Sequence, residues 1–206
     1  MLHRTTPVFL LLAAACAGPA GTQDAQQTDV YGSGATWIYE PDLPVSQPPY
    51  RDVHANWKQR LDQPYVYVEY TGPYFETGRL LPSVHQALEE ARITPSGPPF
   101  ALYYDDPGKV PAERLRSRAC VPVDGMPKHL GRLSYDVLPS QTVAYAVVGG
   151  PYPDVPRSYP GLYSYMNKMG WVEDGPIREI YLVPPSSVTD YSQLMTEVQI
   201  PAVHGR

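Results

Sequence analysis

The sequence predicts an α+β domain made of two β-α-β-β units, forming one antiparallel sheet with two helices on one face and a ligand cleft on the other. Three features carry that reading: a repeat at fixed offset, segments of period-two alternation, and apolar positions spaced three and four apart between them. Gly72-Pro73-Tyr74 returns as Gly150-Pro151-Tyr152, an offset of 78 (150 less 72). The same offset carries Tyr67 onto Tyr145, Pro82 onto Pro160, Gly97-Pro98 onto Gly175-Pro176, Tyr103 onto Tyr181 and Pro107 onto Pro185, without a gap. A register that aligns whole predicted elements as well as single residues reads as a duplicated unit.

The first strand of the first copy is Tyr65 to Tyr70, where Tyr65, Tyr67 and Glu69 alternate with Val66, Val68 and Tyr70. A helix follows from about Thr77 to Arg92, with Leu81, Val84, Leu88 and Ala91 on one stripe. Its counterpart runs from about Pro153 to Gly170, with Tyr159, Leu162, Met166 and Met169 at the same offsets and Gly170 as the stop. Phe100 to Asp105 and Arg178 to Val183 are the next strands, and Arg118 to Val123 pairs with Thr196 to Pro201 as the last. The alternation puts Val66, Val68, Leu102, Ala144, Ala146, Ile180 and Leu182 under the helices. It puts Tyr65, Tyr67, Glu69, Tyr103, Tyr145, Glu179 and Tyr181 on the open face.

The 206 residues suffice for one domain with a core, once a targeting segment is set aside. A net charge of -5 offers no basic surface to phosphates, which argues against nucleic-acid binding and for a neutral or cationic ligand. The basic start Met1-Leu-His-Arg4 and the apolar run Val8 to Ala15, too short to span a bilayer, read as a signal peptide over residues 1–15. Ala13-Ala14-Ala15-Cys16 resembles a lipoprotein signal in which Cys16 becomes the lipid-bearing residue. Ala13 stands where that pattern usually carries Leu, so ordinary cleavage nearby is the alternative. Residues 16–52, rich in Gly, Pro, Gln and Thr, read as a spacer, and the domain as residues 53–203. With Cys16 spent on lipid, Cys120 has no disulfide partner and reads as a small buried hydrophobe. His3, His54, His85, His129 and His204 are too scattered for a metal motif, His85 reads as a structural helix residue, and no cofactor is implied.

The second copy carries Gly149-Gly150-Pro151-Tyr152, Gly175-Pro176, Arg178-Glu179-Ile180-Tyr181-Leu182 and Thr196-Glu197-Val198-Gln199-Ile200-Pro201 in one order. In these motifs the chain resembles the GyrI-like (gyrase-inhibitor-like) effector-binding domains, related to the drug-binding halves of bacterial transcription regulators. Tyr74-Phe75-Glu76-Thr77-Gly78-Arg79-Leu80 is similar to the branch that includes the testis-expressed receptor for endoplasmic-reticulum autophagy, which implies an N-terminal anchor followed by a domain. The resemblance implies that Glu179 is the acid of an aromatic cleft that takes hydrophobic or cationic ligands. A carboxylate ringed by tyrosines is suited to a lipophilic cation on physical grounds as well. The ligand-binding candidates are therefore Glu179, Tyr181, Tyr145, Tyr67, Tyr103 and Trp171, and the alternative for Glu179 is an ion pair with Arg178 or Arg132.

The expected protein is a binding module anchored to the membrane on the periplasmic side of the outer membrane, or secreted to the periplasm. One rival is a hydrolase of reactive small molecules using Glu179 with Tyr145 or Tyr181 as donors. The other is a structural envelope module that binds protein through its tyrosines.

Overall fold

A computed structural model of the chain describes residues 40–205. Its strands are β1 (Ala55–Arg60), β2 (Gln63–Thr71), β3 (Phe100–Tyr103), β4 (Arg116–Pro122), β5 (Ser134–Leu138), β6 (Gln141–Gly149), β7 (Trp171–Glu173), β8 (Ile177–Tyr181) and β9 (Met195–His204). The helices are α1 (Leu81–Ala91) and α2 (Tyr159–Lys168). The sheet is antiparallel in the order β1-β6-β9-β8-β3-β4-β2-β5, with β7 attached to β9.

That order is the duplication written in space. β2, β3 and β4 mirror β6, β8 and β9 about the central β3–β8 pair, and the edge strands β5 and β1 mirror each other. Each edge strand pairs with the first strand of the other copy: β1, which precedes β2, joins β6, and β5, which precedes β6, joins β2. The link from β1 to β2 is only Leu61-Asp62, although these strands lie at opposite ends of the sheet. Two residues span at most roughly 7 Å, so the sheet must curl until its ends meet. They do meet: Arg60 Nη2 donates to the Pro139 carbonyl at 2.9 Å, and Asp62 Oδ1 accepts from the Ser140 amide at 2.5 Å.

Both faces are consequently buried. On the helical face, α1 covers Val66, Val121, Ala101 and Ala119, and α2 covers Ala144, Ala146, Val198 and Ile200. Inside the curl, Tyr65, Phe100, Leu102, Cys120, Val147, Ile180 and Leu182 pack on one another. Each of the larger buried side chains contributes about 1.5–3 kcal/mol. Cys120 is fully buried, and burial pushes its thiol well up.

Each helix starts the same way. Gly72 and Gly150, at φ +150° and +106°, turn the chain out of β2 and β6. Pro73 and Pro151 follow, then a 3-10 segment (Tyr74–Leu80, Tyr152–Ser158), and the α-helix proper begins at the first turn with Pro82 or Pro160. A proline there has no amide that the helix would need. The α-helices therefore begin four to six residues after the expected Thr77 and Pro153.

Three expectations are corrected. Leu102, Ile180 and Leu182 lie inside the curl, and Ala101, Tyr103, Glu179 and Tyr181 lie on the helical face, the reverse of the expected assignment. The physical reason is the curl: with both faces buried, the larger apolar residues do not have to face the helices. The last strand carries one extra residue, since Ala101 pairs with Ala119 but Glu179 with Val198; Pro122 thus corresponds to Pro201, not to Ile200. Finally, chain ahead of Val53 already packs on the domain: Ser46 bridges Val148, and buried Tyr50 donates to the Gly149 carbonyl at 2.7 Å.

Candidate functional site

A cavity of about 1110 Å³ opens on the helical face, walled by the two 3-10 segments, α2 and the loops after β3 and β7. The cleft expected on the helix-free face is therefore on the opposite side. Its floor is the centre of the sheet. Successive cross-strand partners there run Val68, Ala119, Ala101, Glu179, Val198, Ala146 and Ala55, so one acid stands in a row of small apolar residues.

Glu179 is 3% exposed. Tyr159 donates to its Oε1 at 2.6 Å, and Tyr103 and Tyr181 approach its Oε2 at 3.3 and 3.5 Å while lying 3.1 Å from each other. Burial pushes its pKa up to about 7, and the three hydroxyls act in the opposite direction by favouring the ionised form. Tyr103 and Tyr159 are pushed up by burial and then by the Glu179 charge, so they remain donors throughout the physiological range.

The side walls repeat. The Tyr74 ring lies 4.8 Å from Tyr103, and its hydroxyl donates to the Asp105 carbonyl at 2.8 Å. The Tyr152 ring lies 4.7 Å from Tyr181, and its hydroxyl donates to the Val183 carbonyl at 2.8 Å. The copies differ where the acid is held: Glu179 stands where the first copy has Ala101, and Tyr159 where it has Leu81.

Of the sequence candidates, the structure brings Glu179, Tyr181 and Tyr103 together in this cavity. Tyr67, Tyr145 and Trp171 are elsewhere. Tyr67 and Tyr145 belong to the helix-free face, where the protein's own cations cover their rings: Arg118 and Lys58, each 4.0 Å from the ring centroid. Tyr145 also donates to Asp42 at 2.9 Å. Trp171 sits in edge contact with Trp57, Tyr165 and His204. Glu69 pairs with Arg118 and does not approach Glu179. Neither expected counter-ion reaches Glu179: Arg178 donates to Gln63 inside the curl at 2.6 Å, and Arg132 to the Ser83 carbonyl at 3.0 Å. Tyr74, Tyr152 and Tyr159 were not among the candidates. The first two were signalled by their place in the repeated Gly-Pro-Tyr motif, and Tyr159 by a phenol in a register position that is Leu81 in the other copy.

No curated protein sequence matches the chain. The EcmrR C-terminal domain is a structural neighbour, with TM-score 0.67 and 22% identity over 74% of this chain and 99% of that one. EcmrR in its DNA complex aligns at TM-score 0.66 and 22% identity over 74% of this chain, which spans 58% of the EcmrR chain. SAV2435, solved bound to tetraphenylphosphonium, aligns at TM-score 0.53 and 13% identity over 73% of this chain and 94% of that one. A family model described as the GyrI-like small molecule binding domain matches residues 58–203, and the chain belongs to that family.

Proposed function

We propose that this protein captures a hydrophobic or aromatic cation in the tyrosine-walled cavity, with Glu179 as its counter-ion and without turnover. The observation that carries this is a buried carboxylate held by three phenol hydroxyls and paired with no cation among the described residues. A lipophilic cation supplies the missing charge, and the rings of Tyr74, Tyr103, Tyr152 and Tyr181 offer it their faces. The tetraphenylphosphonium held by SAV2435, a protein of the same fold, is a ligand of this chemistry.

Titration of the full chain with tetraphenylphosphonium at pH 8, followed by tryptophan fluorescence, tests the reading. Micromolar binding that weakens at least tenfold in Glu179→Gln, about 1.4 kcal/mol, is the expected result. Absence of binding, or indifference to Glu179→Gln, removes it.

A second reading, hydrolysis, rests on Glu179 itself: a carboxyl held near 7 beside the Tyr159 hydroxyl has the proton affinity that acid–base work requires. Release of an opened product from a strained electrophile, lost in Glu179→Gln, would favour it over simple capture.

The residues that suggest export, Val8 to Ala15 and Cys16, lie outside the described part. Their sequence supports a lipid anchor on the envelope side of a membrane, with Cys16 as the attachment point. Incorporation of labelled palmitate that disappears in Cys16→Ala tests that placement.

A further inference from the structure

The charges lining the cavity do not balance, and the imbalance has a direction. Of the lining cations, Arg79 is paired with Glu76 at 2.9 Å and Lys109 with Asp106 at 3.0 Å. The lining Asp105 is held by Arg116 at 2.8 Å, and that bond keeps its carboxyl below the usual range. Two lining carboxylates remain without a cation among the described residues: Glu179 on the floor and Glu173 at the mouth.

These two are held alike. Tyr159 donates to Glu179 at 2.6 Å, and Tyr163, one helical turn further along α2, donates to Glu173 at 2.5 Å. Residues four apart on a helix share a face and are separated by a rise of roughly 6 Å. The wall formed by α2 therefore presents an inner and an outer phenol–carboxylate pair, roughly one turn apart, to the same space. The first copy has no equivalent, since Leu81 and His85 stand where Tyr159 and Tyr163 stand in the second. The duplicated scaffold thus carries phenol–carboxylate pairs along one helix only, running from the pseudo-twofold axis to the mouth.

We propose that Glu173 and Tyr163 form a second cation subsite, so that the preferred ligands are rigid or semi-rigid dications whose charges are separated by about one to two helical turns, about 5–10 Å. This rests on the reading of Glu179 as the inner counter-ion. The inner charge is desolvated and anchors the ligand; the outer one is exposed to water and selects among ligands more than it binds them. The cavity volume accommodates an aromatic spacer between the two.

The matched probes are p-xylylene-bis(trimethylammonium), whose two charges lie on either side of a benzene ring, and benzyltrimethylammonium, which keeps one of them. Each is titrated into the full chain at pH 8 and low ionic strength, for the natural protein, Glu173→Gln and Glu179→Gln. Glutamine can still accept from Tyr163, so Glu173→Gln removes charge while keeping the hydrogen bond. The dication-to-monocation affinity ratio is expected to fall roughly three- to fivefold in Glu173→Gln, the range of an exposed ion pair. Both probes should weaken in Glu179→Gln. A ratio that is the same with and without the Glu173 charge, while Glu179→Gln still weakens the monocation, overturns the outer subsite and leaves the inner reading standing. If neither probe binds and Glu179→Gln changes nothing, the inner reading fails and the subsite with it.

Discussion

Ala101 and Glu179 are counterparts in the duplication and also direct partners across the β3–β8 pair. A residue that pairs with its own counterpart sits on the pseudo-twofold axis. Side chains at such a position point to the same face with Cβ atoms roughly 4.5–5.5 Å apart. An acid in both copies would bring two buried carboxylates together, whereas one acid beside an alanine leaves room for a ligand. The asymmetry of the sequence is thus demanded by the symmetry of the fold.

Ala101→Glu tests this directly. Two buried carboxylates at such a distance share one proton at low pH and repel once both ionise. Relative to Ala101→Gln, which has the same bulk without the charge, Ala101→Glu should lose a further 1–3 kcal/mol or about that by pH 8, and much less at pH 5. Urea unfolding of the two variants at both pH values measures the gap. A gap independent of pH would mean that the side chains turn away from each other.

Glu179 should also leave its mark on the stability of the natural protein. Its pKa of about 7 when folded lies above the ordinary 4.5, so the folded state holds the proton more tightly than the unfolded state. The associated stability is complete below about pH 4.5 and is lost as pH rises through about 7, a change on the order of 3 kcal/mol. Glu179→Gln has no such proton to lose. The difference in unfolding free energy between the natural protein and Glu179→Gln should accordingly shift against the natural protein from pH 5 to pH 8, and parallel profiles would place the carboxyl in water.

Much of this architecture could be read from the chain because the offset of 78 survived in residues with strong backbone requirements. Gly72-Pro73 and Gly150-Pro151 mark the same turn, Pro82 and Pro160 the same helix start, and Tyr103 and Tyr181 the same wall. What could not be read was which side of β3 and β8 faces the helices. Alternation reports a difference between faces, and here Leu102 and Ile180 on one side and Ala101 and Glu179 on the other are all buried. Burial of both sides follows from the curl, which depends on β1 and β5 joining the opposite copies, a long-range exchange that no local pattern reports. Tyr67 and Tyr145 illustrate the cost. They repeat as faithfully as Tyr103 and Tyr181, yet Arg118 and Lys58 occupy their rings on the far side of the sheet.

Tyr159→Phe should separate charge tuning from shape in the cavity. The Tyr159 hydroxyl makes the shortest of the three bonds to Glu179, and it favours the ionised carboxylate. Its loss raises the carboxyl pKa further while leaving the ring in place. Affinity for tetraphenylphosphonium should drop roughly three- to tenfold at pH 7, the effect of raising that pKa by about one unit. It should recover at pH 9, where the carboxyl ionises in either protein. A deficit that persists at pH 9 would assign the hydroxyl a direct contact with the ligand.

Gly161 links the stability of α2 to the site that α2 carries. Alanine is the better helix former by about 1 kcal/mol, so Gly161→Ala would stabilise an exposed helix. Here an added Cβ would stand 2.5 Å from both Cβ and Cγ2 of Val53, the residue that leads into β1. A contact to Cβ cannot be relieved by turning the side chain, so either α2 or the entry to β1 must move. Such overpacking costs about 1–3 kcal/mol, which outweighs the gain in propensity. The same displacement would carry Tyr159 away from Glu179, since that hydrogen bond spans the gap between α2 and the sheet. Gly161→Ala should therefore lower the thermal midpoint and weaken tetraphenylphosphonium binding together. A raised midpoint with unchanged affinity would show that Val53 yields without disturbing α2.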